Sequence, residues 1–333
     1  MMRIGIVYDR IEDYAHIGGP ADRFAEFEPD STIRAMKEAV KLAGHHPVDV
    51  GSPENLLSPP QIDLAWNIAE GYGTRNREAW APVLLEMHGI PCLGSDAFTL
   101  STSLDKHLTR IIASHLEIPI APGLVLSSAD HIAQQNLPDT PWLIKPRYEG
   151  TAKGIDPNAI VYHPEELSGI VSKLIDQYEQ DVLVEMFLPG AEYTCAVYGA
   201  PLRPSPVMQR SLDRRTKLGV HALASNEEIP ESDQILPGSL DVELEQQIIS
   251  WSMNLCREMN IRHFARVDFK IDHSGRPAFL EINPLPTFAV DSTFAILAEM
   301  EGTPYTEFLA TILSEIINDV SVKPQTTQQA NQY

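Results

Sequence analysis

The sequence predicts an α/β protein of two or three domains. With 333 residues, the chain is longer than a single average domain of ~100–200 residues. Residues 3–8 read RIGIVY, an apolar run that predicts a buried first strand. Residues 30–44 follow with Ile33, Met36 and Val40 at helical spacing, which predicts an amphipathic helix. A strand, a loop and then a helix form the opening of many α/β domains.

The remaining elements follow from the same reasoning. Asp30 or Ser31 is expected to cap the first helix, and Gly44 to end it. Further strands are predicted at 64–68, 141–146, 158–162, 182–187, 193–198, 264–271 and 277–282. Further helices are predicted over 76–88, 96–116, 164–178 and 240–259, with two more before residue 320. Residues 211–238 are polar and lack periodicity, so they predict a long loop, and a loop of this length is usually a lid or a binding loop.

Composition excludes several classes of partner. The formal net charge is −21, and no run of Lys or Arg occurs, whereas nucleic acids and anionic membranes require a basic surface. The three cysteines form no CxxC pair, which argues against a disulfide framework or a structural zinc site. No apolar stretch of about 18 residues occurs. These features predict a cytoplasmic protein with no nucleic acid and no membrane partner.

The segment RVDFKIDHSGRPAFLEINPLP (266–286) carries the strongest chemical signal. Arg266 and Asp268 share one face of the first strand because side chains alternate with period two. Glu281 and Asn283 likewise share one face at the end of the second strand. Three oxygen-bearing side chains that face one another are suited to Mg²⁺, and the arginine is suited to a phosphate. An exposed hairpin with ordinary surface charges is the alternative.

Two further segments combine charge with apolar strands. In LIKPRYEGTAKGI (143–155), Lys145 ends a strand before a loop that contains Gly150, Lys153 and Gly154. Small residues let backbone N–H groups approach a polyphosphate, although an ordinary surface loop is an equal alternative. In VLVEMFLPGAEYT (182–194), two acids seven residues apart could bind an adenine and a ribose. No GxGxxG fingerprint follows the first strand, so a dinucleotide-dependent oxidoreductase is disfavoured.

Together these segments, in this order, resemble the ATP-grasp superfamily, and in particular the D-alanine–D-alanine ligase family. The resemblance extends upstream through residues 67–106 and covers about 60–315. It implies an α/β, three-domain ATP-grasp fold with the nucleotide clamped between the central and C-terminal domains. The implied boundaries are 1–98 for the N-terminal domain, 99–188 for the central one and 189–320 for the C-terminal one, followed by a disordered tail at 321–333. Homodimers are usual in the family, so a homodimer is expected.

The resemblance also assigns roles. It implies that ATP contacts a set of residues in the central segments, namely Lys106, Lys145, Glu149, Gly150, Thr151, Lys153, Gly154, Glu185, Leu188 and Glu192. Within that set, Glu185 and Leu188 flank the adenine and Glu192 binds the ribose. Asp268, Glu281 and Asn283 would hold two Mg²⁺ ions, or Mn²⁺ in their place, and Arg266 would stabilise the transferred phosphoryl group. Lys217, which is expected to be catalytic as Arg266 is, and His221 are the expected functional members of the 211–238 lid; solvated loop residues are the alternative.

Departures from the family pattern concern the substrate. The family usually has Pro-Gly-Met and then His-Ser-Leu after the metal-binding Asn, whereas this chain has NPLPTFAVDSTF (283–294). Ser292, also expected to be catalytic, and Thr293 could still receive an amino acid carboxylate, and Glu28 is the expected partner of an amine. The resemblance and these departures together imply small-molecule substrates, namely an amino acid and a carboxylate or carbonyl acceptor. We therefore expect an ATP-dependent ligase that phosphorylates a carboxylate or carbonyl-type oxygen, joins it to an amino acid amine and releases ADP and phosphate. Its expected place is specialised metabolism, such as joining an amino acid to mycosporine-glycine. The alternatives are a D-alanine–D-alanine ligase and a non-catalytic nucleotide-binding protein.

Overall fold

The structure, a computed structural model, describes residues 1–14, 16–20, 22–213, 216–218, 234–235 and 240–322. Within these ranges the chain forms three main β-sheets with helices packed against them, which confirms the predicted α/β class. Most of the 211–238 loop, including His221, and the tail after residue 322 lie outside the described residues. None of the helices described combines the length and apolar composition needed to cross a membrane.

The first sheet is parallel and has the strand order β2-β1-β3-β4. Its strands are β1 (Arg3–Val7), β2 (His46–Gly51), β3 (Leu64–Asn67) and β4 (Cys92–Leu93). Strands β1 and β3 are almost entirely buried, as central parallel strands usually are. The sequence did not reveal β2, because this edge strand carries exposed polar residues and lacks an apolar run.

Helices pack around this sheet. They are α1 (Ile11–Tyr14), α2 (Asp30–Leu42), α3 (Trp80–Met87) and the last helix of the chain, α9 (Tyr305–Val322). The predicted cap of α2 was wrong: Pro29 occupies the N-cap position, and no side chain caps the helix. Helix α9 packs along α2, so the end of the chain returns to the first sheet.

The single helix predicted over 96–116 is two helices, α4 (Ala97–Leu104) and α5 (Lys106–His115). The break falls at Asp105, whose backbone is extended and whose carboxylate accepts hydrogen bonds from the N–H groups of His107 and Leu108. An aspartate that caps the following helix in this way competes with helix continuation. Lys106 therefore occupies the first turn of α5, and the sequence prediction missed this break.

The central sheet is antiparallel, with strand order β5-β8-β6-β7. Its strands are β5 (Gly123–Leu126), β6 (Trp142–Pro146), β7 (Ile160–Val161) and β8 (Val182–Met186). Helix α6 (Pro164–Tyr178) covers one side. In the register, Leu143 lies opposite Glu185 and Lys145 opposite Leu183, so Lys145 and Glu185 project from the same face of the sheet.

The third sheet is antiparallel and has the order β10-β9-β14-β15, with β11 also paired to β9. Its strands are β9 (Glu192–Tyr198), β10 (Arg203–Pro204), β11 (Met208–Arg210), β14 (Phe264–Ile271) and β15 (Pro277–Asn283). Two short strands, β12 (Leu212–Asp213) and β13 (Gln234–Ile235), pair separately. Helix α7 (Val242–Glu258) buries one face, and α8 (Thr293–Met300) follows the hairpin.

Candidate active site

One face of the third sheet is apolar, and the other carries the candidate active site. Val267 and Phe269 on β14 point into the core beneath α7. Arg266 and Asp268 alternate with them and face the opposite way. The register pairs Arg266 with Asn283 and Asp268 with Glu281, so these four side chains lie on one face, as the sequence predicted. We call this set, Arg266, Asp268, Glu281 and Asn283, the hairpin face.

The hairpin face is an ionic network. Arg266 Nε donates to Asp268 Oδ2 at 2.9 Å, and its Nη2 lies 3.7 Å from Glu281 Oε1. Lys106 Nζ lies 3.4 Å from Glu281 Oε2, which joins helix α5 to the hairpin. Burial alone would lower the pKa of Arg266, but Asp268 and Glu281 outweigh it and raise that pKa. The guanidinium therefore stays charged at the centre of the face.

Strand β9 places two further polar residues, Thr194 and Glu192, on the same side of the sheet as the hairpin face. Thr194 is paired in register with Asp268, and its Oγ1 donates to Asp268 Oδ1 at 2.7 Å. Glu192 is paired with Lys270, whose Nζ lies 3.4 Å from Glu192 Oε2. Burial lowers the pKa of Lys270, and Glu192 opposes that shift. Lys270 is a buried cation that the sequence analysis did not single out, although it lies on the same strand and face as Asp268.

A cavity opens between the central sheet and the hairpin face, with about 820 Å³ of empty space that includes its open mouth. Its lining includes most of the residues predicted to contact nucleotide or phosphoryl groups, namely Lys106, Lys145, Glu149, Thr151, Lys153, Glu185, Leu188, Glu192, Arg266 and Glu281. Apolar side chains, among them Leu143, Phe187 and Leu280, complete the walls. The cavity therefore combines cationic groups with apolar surface, as a nucleotide requires.

Glu185 is a counter-ion on the central side of the cavity. Its Oε1 lies 2.7 Å from Lys145 Nζ and its Oε2 lies 2.8 Å from Arg110 Nη1. All three side chains are nearly inaccessible to solvent. The structure thus fixes Lys145 at the cavity wall through Glu185. Arg110 escaped the sequence analysis because it lies on α5, 75 residues from its partner.

The glycine loop, residues 149–154, forms another wall. Thr151 and Ala152 adopt positive φ angles of 45° and 55°, and both line the cavity together with Lys153. Gly150 and Gly154, predicted to approach phosphates, instead donate their N–H groups to Glu26 and Asp22. The cavity-facing part of the loop is therefore its middle, and its two glycine ends contact the N-terminal segment.

The donor set of the hairpin face fits a hard divalent cation. Asp268 and Glu281 lie directly opposite each other, and Asn283 lies two residues further on the same face. No group of three or more His, Cys, Asp and Glu side chains in the described ranges could hold a metal. A Mg²⁺ ion here would therefore use the two carboxylates, the Asn283 amide oxygen and phosphate oxygens, which suits its preference for oxygen ligands and retained substrate or water ligands.

The residues predicted to bind the amino acid substrates lie outside the cavity. Glu28 is 4% exposed; burial raises the pKa of its carboxyl, and a hydrogen bond with the Thr287 side chain opposes the rise. Ser292 precedes α8, and its hydroxyl is buried without a hydrogen-bond partner in the described part of the chain. Thr293 is buried at the start of α8. The first N–H groups of a helix have no partner within that helix, and no side chain of the described residues caps α8, so this terminus is suited to a carboxylate.

Arg210 adds a cation at the same place. Its Nε donates to Thr194 Oγ1 at 3.0 Å, and its Nη2 donates to Thr293 Oγ1 at 3.2 Å. Burial lowers the pKa of Arg210, and the neighbouring Arg266 lowers it further. These two hydrogen bonds go to hydroxyl groups, and the nearby carboxylates of Asp268, Glu192 and Glu281 oppose the lowering of its pKa. The sequence analysis missed Arg210, because a single arginine on a three-residue strand carries no pattern.

Lys217, predicted to be catalytic, contributes its backbone to the site. Its carbonyl oxygen accepts a hydrogen bond from Lys270 Nζ at 2.9 Å, and its N–H donates to Asp213 O. The following residue, Leu218, lines the cavity. The segment that was predicted to form a lid thus reaches the cavity at residues 216–218, while a catalytic role for the Lys217 ammonium stays a prediction.

Comparison with known proteins agrees with this geometry. The family model of the D-Ala–D-Ala ligase C-terminus matches residues 113–314. A D-alanine–D-alanine ligase from Carboxydothermus hydrogenoformans is 28% identical over 84% of this chain and 90% of its own length. The crystal structure of the Bacillus anthracis D-alanine–D-alanine ligase in complex with ATP superposes with a TM-score of 0.70 at 19% identity, covering 97% of this chain and all of that one.

A second solved structure, the VanG D-Ala:D-Ser ligase from Enterococcus faecalis, has a TM-score of 0.69 at 17% identity and covers 93% of this chain and 98% of its own. The two superpositions establish the fold. The family model spans more than half of the residues, including both sheets that border the cavity. The chain belongs to the D-alanine–D-alanine ligase family, has the ATP-grasp fold and is an ADP-forming carbon–nitrogen ligase.

Proposed function

We propose that this enzyme uses ATP to join two D-amino acids, with D-alanine as the activated substrate and D-alanine or a close analogue as the amine. The observation that carries the proposal is the meeting of the hairpin face with a lysine-lined cavity. Lys145 lies on the central-sheet side, Arg266 lies on the hairpin side, and Lys106 reaches from α5 to Glu281 of the hairpin face. Cations on both sides of a cavity are suited to a triphosphate whose charge must be neutralised during transfer.

The chemistry follows in two steps. The carboxylate oxygen of the first amino acid attacks the γ-phosphorus of ATP, and the bond to the ADP oxygen breaks, giving an acyl phosphate and ADP. The amine of the second amino acid then attacks the acyl carbon, loses a proton, and inorganic phosphate leaves. Arg266 lies where charge develops on the transferred group. Divalent cations held by Asp268, Glu281 and Asn283 would neutralise phosphate oxygens in the first step.

The two amino acids are assigned to the polar groups beside the hairpin face. Glu28 is a buried carboxylate suited to the ammonium group of the first amino acid, since a substrate cation would compensate its burial. Arg210, Ser292 and Thr293 are suited to the carboxylate of the second. The adenine is assigned to the apolar end near Leu188 and Phe187, and the ribose to Glu192.

The relatives bear on the choice between the two substrate hypotheses. The mycosporine-type ligase, which the sequence favoured because Asp291-Ser292-Thr293 replaces the family's usual His-Ser-Leu, receives no support from the relatives named above. The D-alanine–D-alanine alternative does receive support, since the Carboxydothermus relative bears that name. Family membership also argues against a nucleotide-dependent oxidoreductase and against a protein that only binds nucleotide. A homodimer stays a prediction.

Product analysis tests the proposal. The purified protein, MgATP and D-alanine should yield ADP, phosphate and a dipeptide in equal amounts, measured by coupled phosphate release and mass spectrometry. L-alanine is the matched control and should give little product. D-serine paired with D-alanine tests the amine site, and mycosporine-glycine with serine, glycine or threonine tests the rival hypothesis. ADP release only in that last mixture would overturn the D-amino acid assignment.

A further inference from the structure

A short piece of the N-terminal region, residues 22–28, contacts the glycine loop. Glu26 is its centre: both carboxylate oxygens accept hydrogen bonds from Arg77 Nη2 at 2.9 Å, and Oε1 also accepts from the Gly150 N–H at 2.7 Å. The Lys153 ammonium donates to Glu26 Oε2. The side chains of Glu26 and Arg77 are each 3% exposed. A buried, multiply bonded carboxylate of this kind fixes the groups around it.

A second carboxylate of the same piece binds the other end of the loop. Asp22 Oδ2 accepts from the Gly154 N–H at 3.0 Å and from the Tyr178 hydroxyl at 2.6 Å. Arg77 Nη1 also donates to Tyr148 O at 2.8 Å, just before the loop begins. Both glycine ends of the loop are therefore tied to groups from outside the central domain's own chain segment.

The middle of the loop needs such support. Thr151 and Ala152 occupy the left-handed region, which is unfavourable for non-glycine residues and persists only where surrounding contacts impose it. These two residues, with Lys153, line the cavity. Contacts at Gly150 and Gly154 hold the backbone on either side of the strained pair, so they fix which N–H groups face the cavity.

We infer that Glu26 and Asp22 are positioning residues that clamp the glycine loop at both ends and so present Thr151 and Ala152 to the phosphates of the nucleotide. The inference rests on the proposed function in taking the cavity as the ATP site. Glu28, assigned to the first amino acid, lies two residues from Glu26 on the same piece of chain. The amino acid site and the nucleotide loop are thereby held by one segment.

A competing explanation is that Lys153 binds phosphate directly and Glu26 competes with the nucleotide for it. The geometry favours the clamp, because Lys153 Nζ is bonded to Glu26 and also lies 2.9 Å from Glu149 Oε2. The two explanations differ in the effect of Glu26→Gln. If Glu26 is a clamp, the variant binds nucleotide more weakly than the wild type. If Glu26 competes with the nucleotide for Lys153, the variant binds nucleotide equally well or more tightly.

Nucleotide binding by Glu26→Gln, Lys153→Met and the double variant tests the clamp. Calorimetry would measure the dissociation constant of AMP-PNP with Mg²⁺. Ligand-observed NMR would measure the dissociation constant of adenosine, which lacks phosphates and so does not report on the glycine loop. We expect each single variant to weaken AMP-PNP about tenfold and the double variant no further, since the two residues act as one unit. Adenosine binding should change less than about twofold. Glu315→Gln, in the distant Arg203–Glu315 pair, is the control and should match the wild type.

Unchanged or tighter AMP-PNP binding in Glu26→Gln would overturn the inference. If Glu26→Gln also loses adenosine binding, its fold is disturbed, and the test passes to Tyr178→Phe. This variant removes only the hydroxyl that holds Asp22 and should weaken AMP-PNP binding about threefold. Unchanged AMP-PNP binding by Tyr178→Phe would then refute the clamp. AMP-PNP binding requires no amino acid, so an enzyme that does not ligate D-alanine still gives an answer. A wild-type protein that binds no AMP-PNP would overturn the ATP site itself.

Discussion

Two buried groups of charges border the same cavity and differ in what their charges bind. On the hairpin face, Arg266 pairs with Asp268, and Glu281 is 28% exposed towards the cavity. Arg210, which lies beside this face, donates to two hydroxyl groups. In the second group, which we call the acidic cluster, Arg77 and Lys153 are surrounded by acids of the same chain. These acids are Glu26, Glu70, Glu78 and Glu149. Both groups are internally paired, but the hairpin face is partly open to the cavity at Glu281, whereas Glu26 and Arg77 at the centre of the acidic cluster are each only 3% exposed.

The difference separates chemistry from positioning. Charges that face a cavity contribute when a ligand arrives, so their removal should alter turnover or affinity more than stability. Charges that neutralise one another inside the protein hold segments together, and their removal or titration should alter stability. Both groups are conspicuous in the fold, yet only the first is expected to contact reacting atoms.

The largest expected effect is on turnover. Glu281→Gln keeps the size of the side chain but removes a carboxylate assigned to Mg²⁺ and paired with Lys106. We expect kcat to fall by about 10²–10³-fold, the usual magnitude for losing one charge-stabilising group at a reacting centre, with little change in melting temperature. Steady-state ADP release measures it, and Glu299→Gln on the exposed side of α8 is the control. Wild-type turnover in Glu281→Gln would place the hairpin face outside the chemistry.

A smaller effect is expected at Arg210. Arg210→Met should raise the KM of the amine substrate by about 10–100-fold, because a charged hydrogen bond to a carboxylate contributes about 1.5–3 kcal/mol. The KM of ATP should change little, since Arg210 is not among the residues that line the cavity. Initial rates at varied amine concentration measure both constants, and Arg257→Met on the exposed part of α7 is the control. A rise confined to the KM of ATP would contradict the assignment.

The smallest expected effect concerns pH and the acidic cluster. Burial raises the pKa of Glu78 to about 7, although Arg77 opposes the rise. Between pH 4.5 and 7 the unfolded carboxyl is ionised while the folded one holds its proton, so stability is lost as pH rises through this window. Glu78→Gln removes the titrating carboxyl and therefore removes this loss of stability at higher pH. Its melting temperature should equal that of the wild type near pH 4 and exceed it above pH 7, by on the order of 2–4 °C.

Differential scanning calorimetry across this pH range tests the prediction, with Glu86→Gln on the exposed side of α3 as the control. A difference between Glu78→Gln and the wild type that shrinks as pH rises would reverse the sign and refute the assignment. Loss of stability at every pH would show instead that Glu78 is needed as an ionised partner of Arg77, which lies 3.9 Å away.

Most of the hairpin face was predictable because its information is local. Residues 265–271 alternate between apolar and polar positions, and so do residues 280–283 at the end of the second strand. Two-residue periodicity fixes which of these side chains share a face. The strand at 264–271 was predicted with its observed bounds. The break at Asp105 and the edge strand β2 were missed, because a capping carboxylate and an exposed edge both weaken the periodic pattern on which those predictions depend.

The amino-acid sequence by itself determined the α/β class, the hairpin with its metal-suited carboxylates and the resemblance to an ATP-dependent ligase family. Those features depend on neighbouring residues in one or two strands. Only the tertiary structure decided that Glu26 would meet Arg77 and Lys153, across 51 and 127 positions of the chain, and that Arg210 would reach Thr293. Such contacts depend on how whole sheets pack together, and no local pattern records that arrangement.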